Sequence, residues 1–115
     1  MRRLLALVLT ACTPAASPEP AALSEARTLV ALSGPVLASV RPACAALAPD
    51  RGEACTAALD ALAAVVATAT PLLTPCPGEV DDEERQACEV DRLDKVRATL
   101  PELRRRVTEA AAVVR

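Results

Sequence analysis

The chain has 115 residues, a formal net charge of −2, no aromatic residue and no histidine. A balance this close to neutral argues against a nucleic-acid partner, and the lack of Phe, Tyr and Trp removes the stacking platforms that hold bases and sugar rings. Without histidine there is neither the usual near-neutral acid/base group nor the commonest ligand of mixed zinc sites, so no residue qualifies as catalytic and no cofactor or metal is expected.

Arg2 and Arg3 precede the apolar run Leu4-Leu5-Ala6-Leu7-Val8-Leu9. That run is far shorter than the ~20 apolar residues a bilayer span needs. A basic flank, a short apolar core and small residues after it describe an export signal. The run ends in Leu9-Thr10-Ala11-Cys12, which resembles the lipobox of bacterial lipoproteins: aliphatic, small, small, cysteine. The resemblance covers residues 1–12 and carries no implication for the fold of the rest. It implies cleavage before Cys12 and lipid on the sulfur and new amino group of that cysteine. Two acyl signals are what stable anchoring requires. In Gram-negative lipoproteins an aspartate after the cysteine favours retention at the inner membrane, so Thr13 points to the periplasmic face of the outer membrane. Loss of residues 1–11 removes Arg2 and Arg3, leaving 11 basic against 15 acidic residues, near −4.

Residues 12–20, Cys-Thr-Pro-Ala-Ala-Ser-Pro-Glu-Pro, read as a semi-rigid proline-rich tether, with Ser17 and Pro18 also able to open the first helix as cap and first helical residue. The folded domain is expected over 21–115. Alanine dominates it and glycine is scarce, which favours helix. Leu23, Ala26, Val30, Ser33, Leu37, Val40, Cys44 and Leu47 keep one helical phase through Gly34-Pro35 and Pro42, which predicts a single kinked helix. Asp50 and Glu53 suggest a capping box for a second helix, whose stripe is Cys55, Leu59, Leu62, Val66 and Ala69. Thr70-Pro71 ends it, and Pro75-Cys76-Pro77-Gly78 is a loop. Asp81 to Glu84 opens a third helix with the stripe Leu93, Val96, Leu100, Leu103, Val107, Ala110 and Val114, and Pro101 predicts a kink or a loosened turn near Thr99. Pairs at i,i+4 such as Asp81–Arg85, Asp91–Lys95 and Glu102–Arg106 are expected on its solvated face. The acids of 81–84 read as cap and dipole residues, since calcium-loop spacing is missing.

Three helices of roughly 30, 20 and 34 residues with short connections predict an all-α, up-down-up three-helix bundle. Cys44 and Cys55 then lie at one end of the hairpin, Cys76 and Cys88 at the other. Cys55 and Cys76 are separated by most of the second helix, ~25 Å, against the ~7 Å limit for a disulfide. The expected pairs are therefore Cys44–Cys55 and Cys76–Cys88, stapling an alanine-rich, thin core. A four-thiolate metal site would need both ends to converge.

Charge is concentrated after residue 80. Ala61–Gly78 carries none, and Thr28–Ala48 only Arg41. Three helices cannot bury every side of two apolar ones. The candidate partner face is the uncharged side of helices one and two, represented by Thr56, Ala63, Ala67 and Thr70. The leading expectation is a non-enzymatic, membrane-anchored lipoprotein that binds a protein partner or another copy of itself. A second expectation is an envelope structural or lysis component, since small size, lipobox and prolines resemble phage spanin lipoproteins. A third is an inhibitor or immunity protein against an exported enzyme or toxin.

Overall fold

In the computed structural model the described residues are 19–113. The lipobox, Cys12, Ser17 and Pro18 lie outside them, as does Val114. The domain is a three-helix bundle: α1 (Ala21–Ala45), α2 (Pro49–Ala69), a 3-10 turn (Thr70–Leu73) and α3 (Asp82–Ala112). Each helix touches both others. Three residues connect α1 to α2, which forces an antiparallel hairpin.

The helices form where the apolar phase is continuous, and each end has a chemical cause. α1 begins after Pro20, later than Ser17 suggests, because Pro20 has extended backbone and no side chain caps the helix there. It ends as Ala46 N–H and Leu47 N–H donate back to Ala43 O and Cys44 O. For α2 the capping box from Asp50 and Glu53 does not form. Ala48 occupies the cap position, Pro49 opens the helix, and Asp50 sits in the first turn without a side-chain cap bond. Proline suits that first position because its absent N–H is one of the donors left unbonded anyway. α3 is capped as expected: Asp81 Oδ1 accepts the Glu84 backbone N–H at 2.8 Å.

α1 runs unbroken through Pro35 and Pro42, and α3 through Pro101. Each proline removes one i→i−4 bond, leaving the carbonyls of Ala31, Ala38 and Arg97 without their helical donor. All three of those residues are exposed, on the side where solvent rather than the core meets the missing bonds, and the helices run on. Near Thr99 the helix stays regular, and the Thr99 hydroxyl donates to Lys95 O at 2.9 Å. With 25, 21 and 31 residues, the helices are ~38, ~32 and ~47 Å long.

The core is the meeting of the three stripes. Leu59 and Leu62 of α2 and Leu103 of α3 are fully buried, surrounded by Leu23, Ala26, Val40, Val65, Val96, Leu100 and Ala110. Each buried leucine stabilises the fold by about 1.5–3 kcal/mol, but alanine contributes much less, so the core is thin. Among the described residues Ser33 is the one buried polar side chain, and it donates to Leu29 O at 2.7 Å. Disulfides join Cys44 to Cys55 and Cys76 to Cys88, with Cα atoms 5.4 and 6.1 Å apart, the pairs drawn from the helix ends.

Candidate interaction surface

Helical phase places Thr56, Asp60, Ala63, Ala67 and Thr70 on one stripe of α2, beside α1. Thr56, Ala67 and Thr70 are exposed and Ala63 is half-buried. Ala31, Gly34 and Ala38 are exposed on α1. A Cβ at Gly34 would meet nothing within 4 Å, so that position opens onto solvent. These side chains project little, and the surface they form is smooth.

The stripe is not free of charge, since Asp60 lies within it. Asp60 Oδ1 accepts Arg41 Nη1 at 3.0 Å across the α1–α2 seam. The two charges that interrupt the apolar stretches thus bind each other, and the surface carries one neutral pair. Nothing local in the sequence signals this contact, whose partners are 19 residues apart. Two threonine hydroxyls of α2 and its end are also occupied: Thr68 donates to Ala64 O at 3.2 Å and Thr70 to Val66 O at 2.7 Å. Both present methyl groups and an accepting oxygen rather than an unused donor.

By length and composition alone, Ala21–Ala45 and Pro49–Leu73 are each long and apolar enough to cross a membrane. Only 17% and 22% of those two apolar windows are buried inside the bundle, so most of their residues lie on the outer sides of the helices. Among the described residues the large exposed hydrophobics are Leu32 and Val90, 52% and 56% exposed, and neither lies on the α2 stripe.

Strong charge sits on α3 and its neighbours. Arg104 bridges α3 to α1 through a bidentate contact with Glu25, and its guanidinium holds the Glu25 carboxyl below the usual range, chiefly by hydrogen bonding, with burial opposing and charge attraction adding. Glu102 is held low in the same way by hydrogen bonds from Arg105 and Arg106. The pairs Asp91–Lys95 and Glu102–Arg106 form at i,i+4. Asp81–Arg85 does not: Asp81 is committed to the cap, so Arg85 pairs with Asp82 one residue nearer. Arg92, missed as a structural residue by sequence patterning, donates to Leu73 O at 3.3 Å and Thr74 O at 3.0 Å and ties α3 to the loop.

Among the described residues no group of three or more Cys, Asp or Glu side chains is placed to hold a metal. Comparison of the chain with protein-family models, with curated proteins and with solved structures gave no match.

Proposed function

We infer that the chain is a small lipid-anchored envelope lipoprotein whose helical bundle is a non-enzymatic binding module, docking a protein partner through the outer side of α1 and α2. The anchor rests on the lipobox-like Leu9-Thr10-Ala11-Cys12. The observation that carries the binding role is the segregation of charge: most of the ion pairs involve α3, whereas between Thr28 and Ala48 and between Thr56 and Gly78 the α1–α2 side carries small side chains around the self-neutralised Arg41–Asp60 pair. Large interfaces deplete charge at their centre, and a surface already neutral needs no countercharge from its partner. The exposed Ala31 and Ala38 carbonyls, deprived of donors by Pro35 and Pro42, favour contact with water or protein over acyl chains, where an unbonded carbonyl costs several kcal/mol.

Site-specific photocrosslinking tests the face. A crosslinker at Ala67 should trap one discrete partner in the envelope, and one at Arg97 on the far helix should not. Equal trapping from both positions, or none from Ala67, removes the assignment of the face. The anchor is tested separately: Cys12→Ala should release a folded domain from the membrane fraction, and a misfolded domain would mean Cys12 belongs to the disulfide framework.

A further inference from the structure

The two disulfides close loops of nearly equal length, 11 and 12 residues of separation, but they stand in different surroundings. Cys44 and Cys55 are 3% and 2% exposed, inside the core. Cys76 and Cys88 are half-buried. Cys88 belongs to a part of α3 that overhangs the bundle: the first buried residue of α3 is Val96, about four turns in.

What holds that overhang is slight. Arg92 binds the carbonyls of Leu73 and Thr74. Pro20 and Leu23 face Val90 and Leu93 across a cavity of about 160 Å³, so the apolar contact is incomplete, and lining atoms without partners forgo dispersion energy. Residues 79–92 contain Glu79, Asp81, Asp82, Glu83, Glu84, Glu89 and Asp91 against Arg85 and Arg92, a net −5, so the surface around Cys88 is acidic even with Asp82, Glu89 and Asp91 paired to Arg85, Arg92 and Lys95. Cys76–Cys88 is the one covalent restraint on this region.

We propose that Cys76–Cys88 is a reducible latch on the start of α3, while Cys44–Cys55 is a permanent bridge. A neutral or cationic dithiol opens the latch. One thiolate of the reductant attacks a sulfur of the pair, the S–S bond breaks, and the departing cysteine thiolate takes a proton. The second thiol of the reductant then displaces the mixed disulfide. Two electrons pass to the protein, which gains two thiols, and the reductant leaves as its own disulfide. The surrounding acids disfavour anionic thiols by repulsion that salt screens. Once opened, the loop and the first turns of α3 unfold locally and uncover Leu23, while the core around Leu59, Leu62 and Leu103 stays folded.

The test uses the full chain. Limiting dithiothreitol, quenched by alkylation and mapped by mass spectrometry, should free Cys76 and Cys88 at least about tenfold faster than Cys44 and Cys55, because reaching a buried sulfur waits on opening of the core. Hydrogen exchange on the selectively reduced protein should lose protection within residues 74–92 and keep it from Val96 to Ala110. The double variant Cys76→Ser/Cys88→Ser should show the same exchange pattern with no reductant present. At low salt cysteamine should cleave the latch faster than glutathione, with the gap closing at high salt. Reduction of both disulfides at one rate, retained protection over 82–92 after reduction, or equal rates with the two monothiols overturns the proposal.

Discussion

Deleting each disulfide in turn separates loop entropy from location. In the chain-entropy model a loop of about a dozen residues restricts the unfolded chain by ~9–10 cal/mol/K, or ~3 kcal/mol at 25 °C, and the separations of 11 and 12 residues make the two bridges equal. The structure breaks that equality. Cys44→Ala/Cys55→Ala also empties space in the core, because both residues are almost fully buried, adding about 1 kcal/mol. The total of ~4 kcal/mol corresponds to a fall in melting temperature of roughly 15–30 °C for a domain of this size. Cys76→Ala/Cys88→Ala should cost less than the entropy model says. Its native state can let the overhang fray and keep everything from Val96 onward, so the loss is capped by what the overhang contributed, about 1–2 kcal/mol or roughly 5–15 °C. Thermal melts by circular dichroism on the two double variants measure the difference. Equal falls, or a larger fall for the Cys76/Cys88 variant, would refute the reasoning and place the start of α3 among the cooperative elements of the core.

Four further outcomes follow from single residues. Asp81→Ala removes the cap on the Glu84 N–H and should cost about 1 kcal/mol, read as about fivefold faster amide exchange at Glu84 and Arg85. Gly34→Ala should change stability by less than about 0.5 kcal/mol in urea denaturation, since the helix propensity gained in α1 is offset by crowding of the new Cβ against the Pro35 ring that follows it. Gly52→Ala should destabilise in the same assay, because its Cβ would stand 3.1 Å from Cys44 O in the α1–α2 corner. Glu25 has its pKa lowered by the hydrogen bond from Arg104. A folded-state value below the unfolded one means the pair's contribution is complete above the ordinary glutamate range and is lost as pH falls through the lower, folded value. The melting temperature should therefore drop on acidification from about pH 5 downward, and Glu25→Gln should flatten that slope; an unchanged slope would show that the Glu25–Arg104 contact is not populated in solution.

The bundle was legible in the sequence because its information is periodic. Leu59, Leu62 and Ala69 repeat with helical phase, and Val96, Leu100, Leu103 and Ala110 do the same, so helix number and inward faces follow. The disulfides were legible because helix length is a ruler: no bend of α2 brings Cys55 to Cys76. The helix starts were less so, because several caps compete within a few residues. Asp50 and Asp81 both have capping chemistry, but Pro49 opens α2, and of these two only Asp81 makes the bond.

The candidate surface differs from its sequence reading in one respect that matters. Along the chain, Arg41 and Asp60 are two isolated charges beside long uncharged stretches. In the fold they are a single exposed pair at 3.0 Å, joining residues that no helical spacing relates. An exposed pair of this kind adds little stability, about 0–1 kcal/mol. Its consequence is for recognition. Were the charges apart, any partner covering the stripe would have to supply an acid for Arg41 and a base for Asp60 or leave each desolvated alone. Because they satisfy each other, a partner has only to exclude water around a neutral pair. Asp60→Ala should therefore weaken partner binding more than its size suggests, by leaving Arg41 uncompensated under the interface. Replacing both Arg41 and Asp60 with alanine should restore much of that loss, an ordering that a merely solvated pair would not produce.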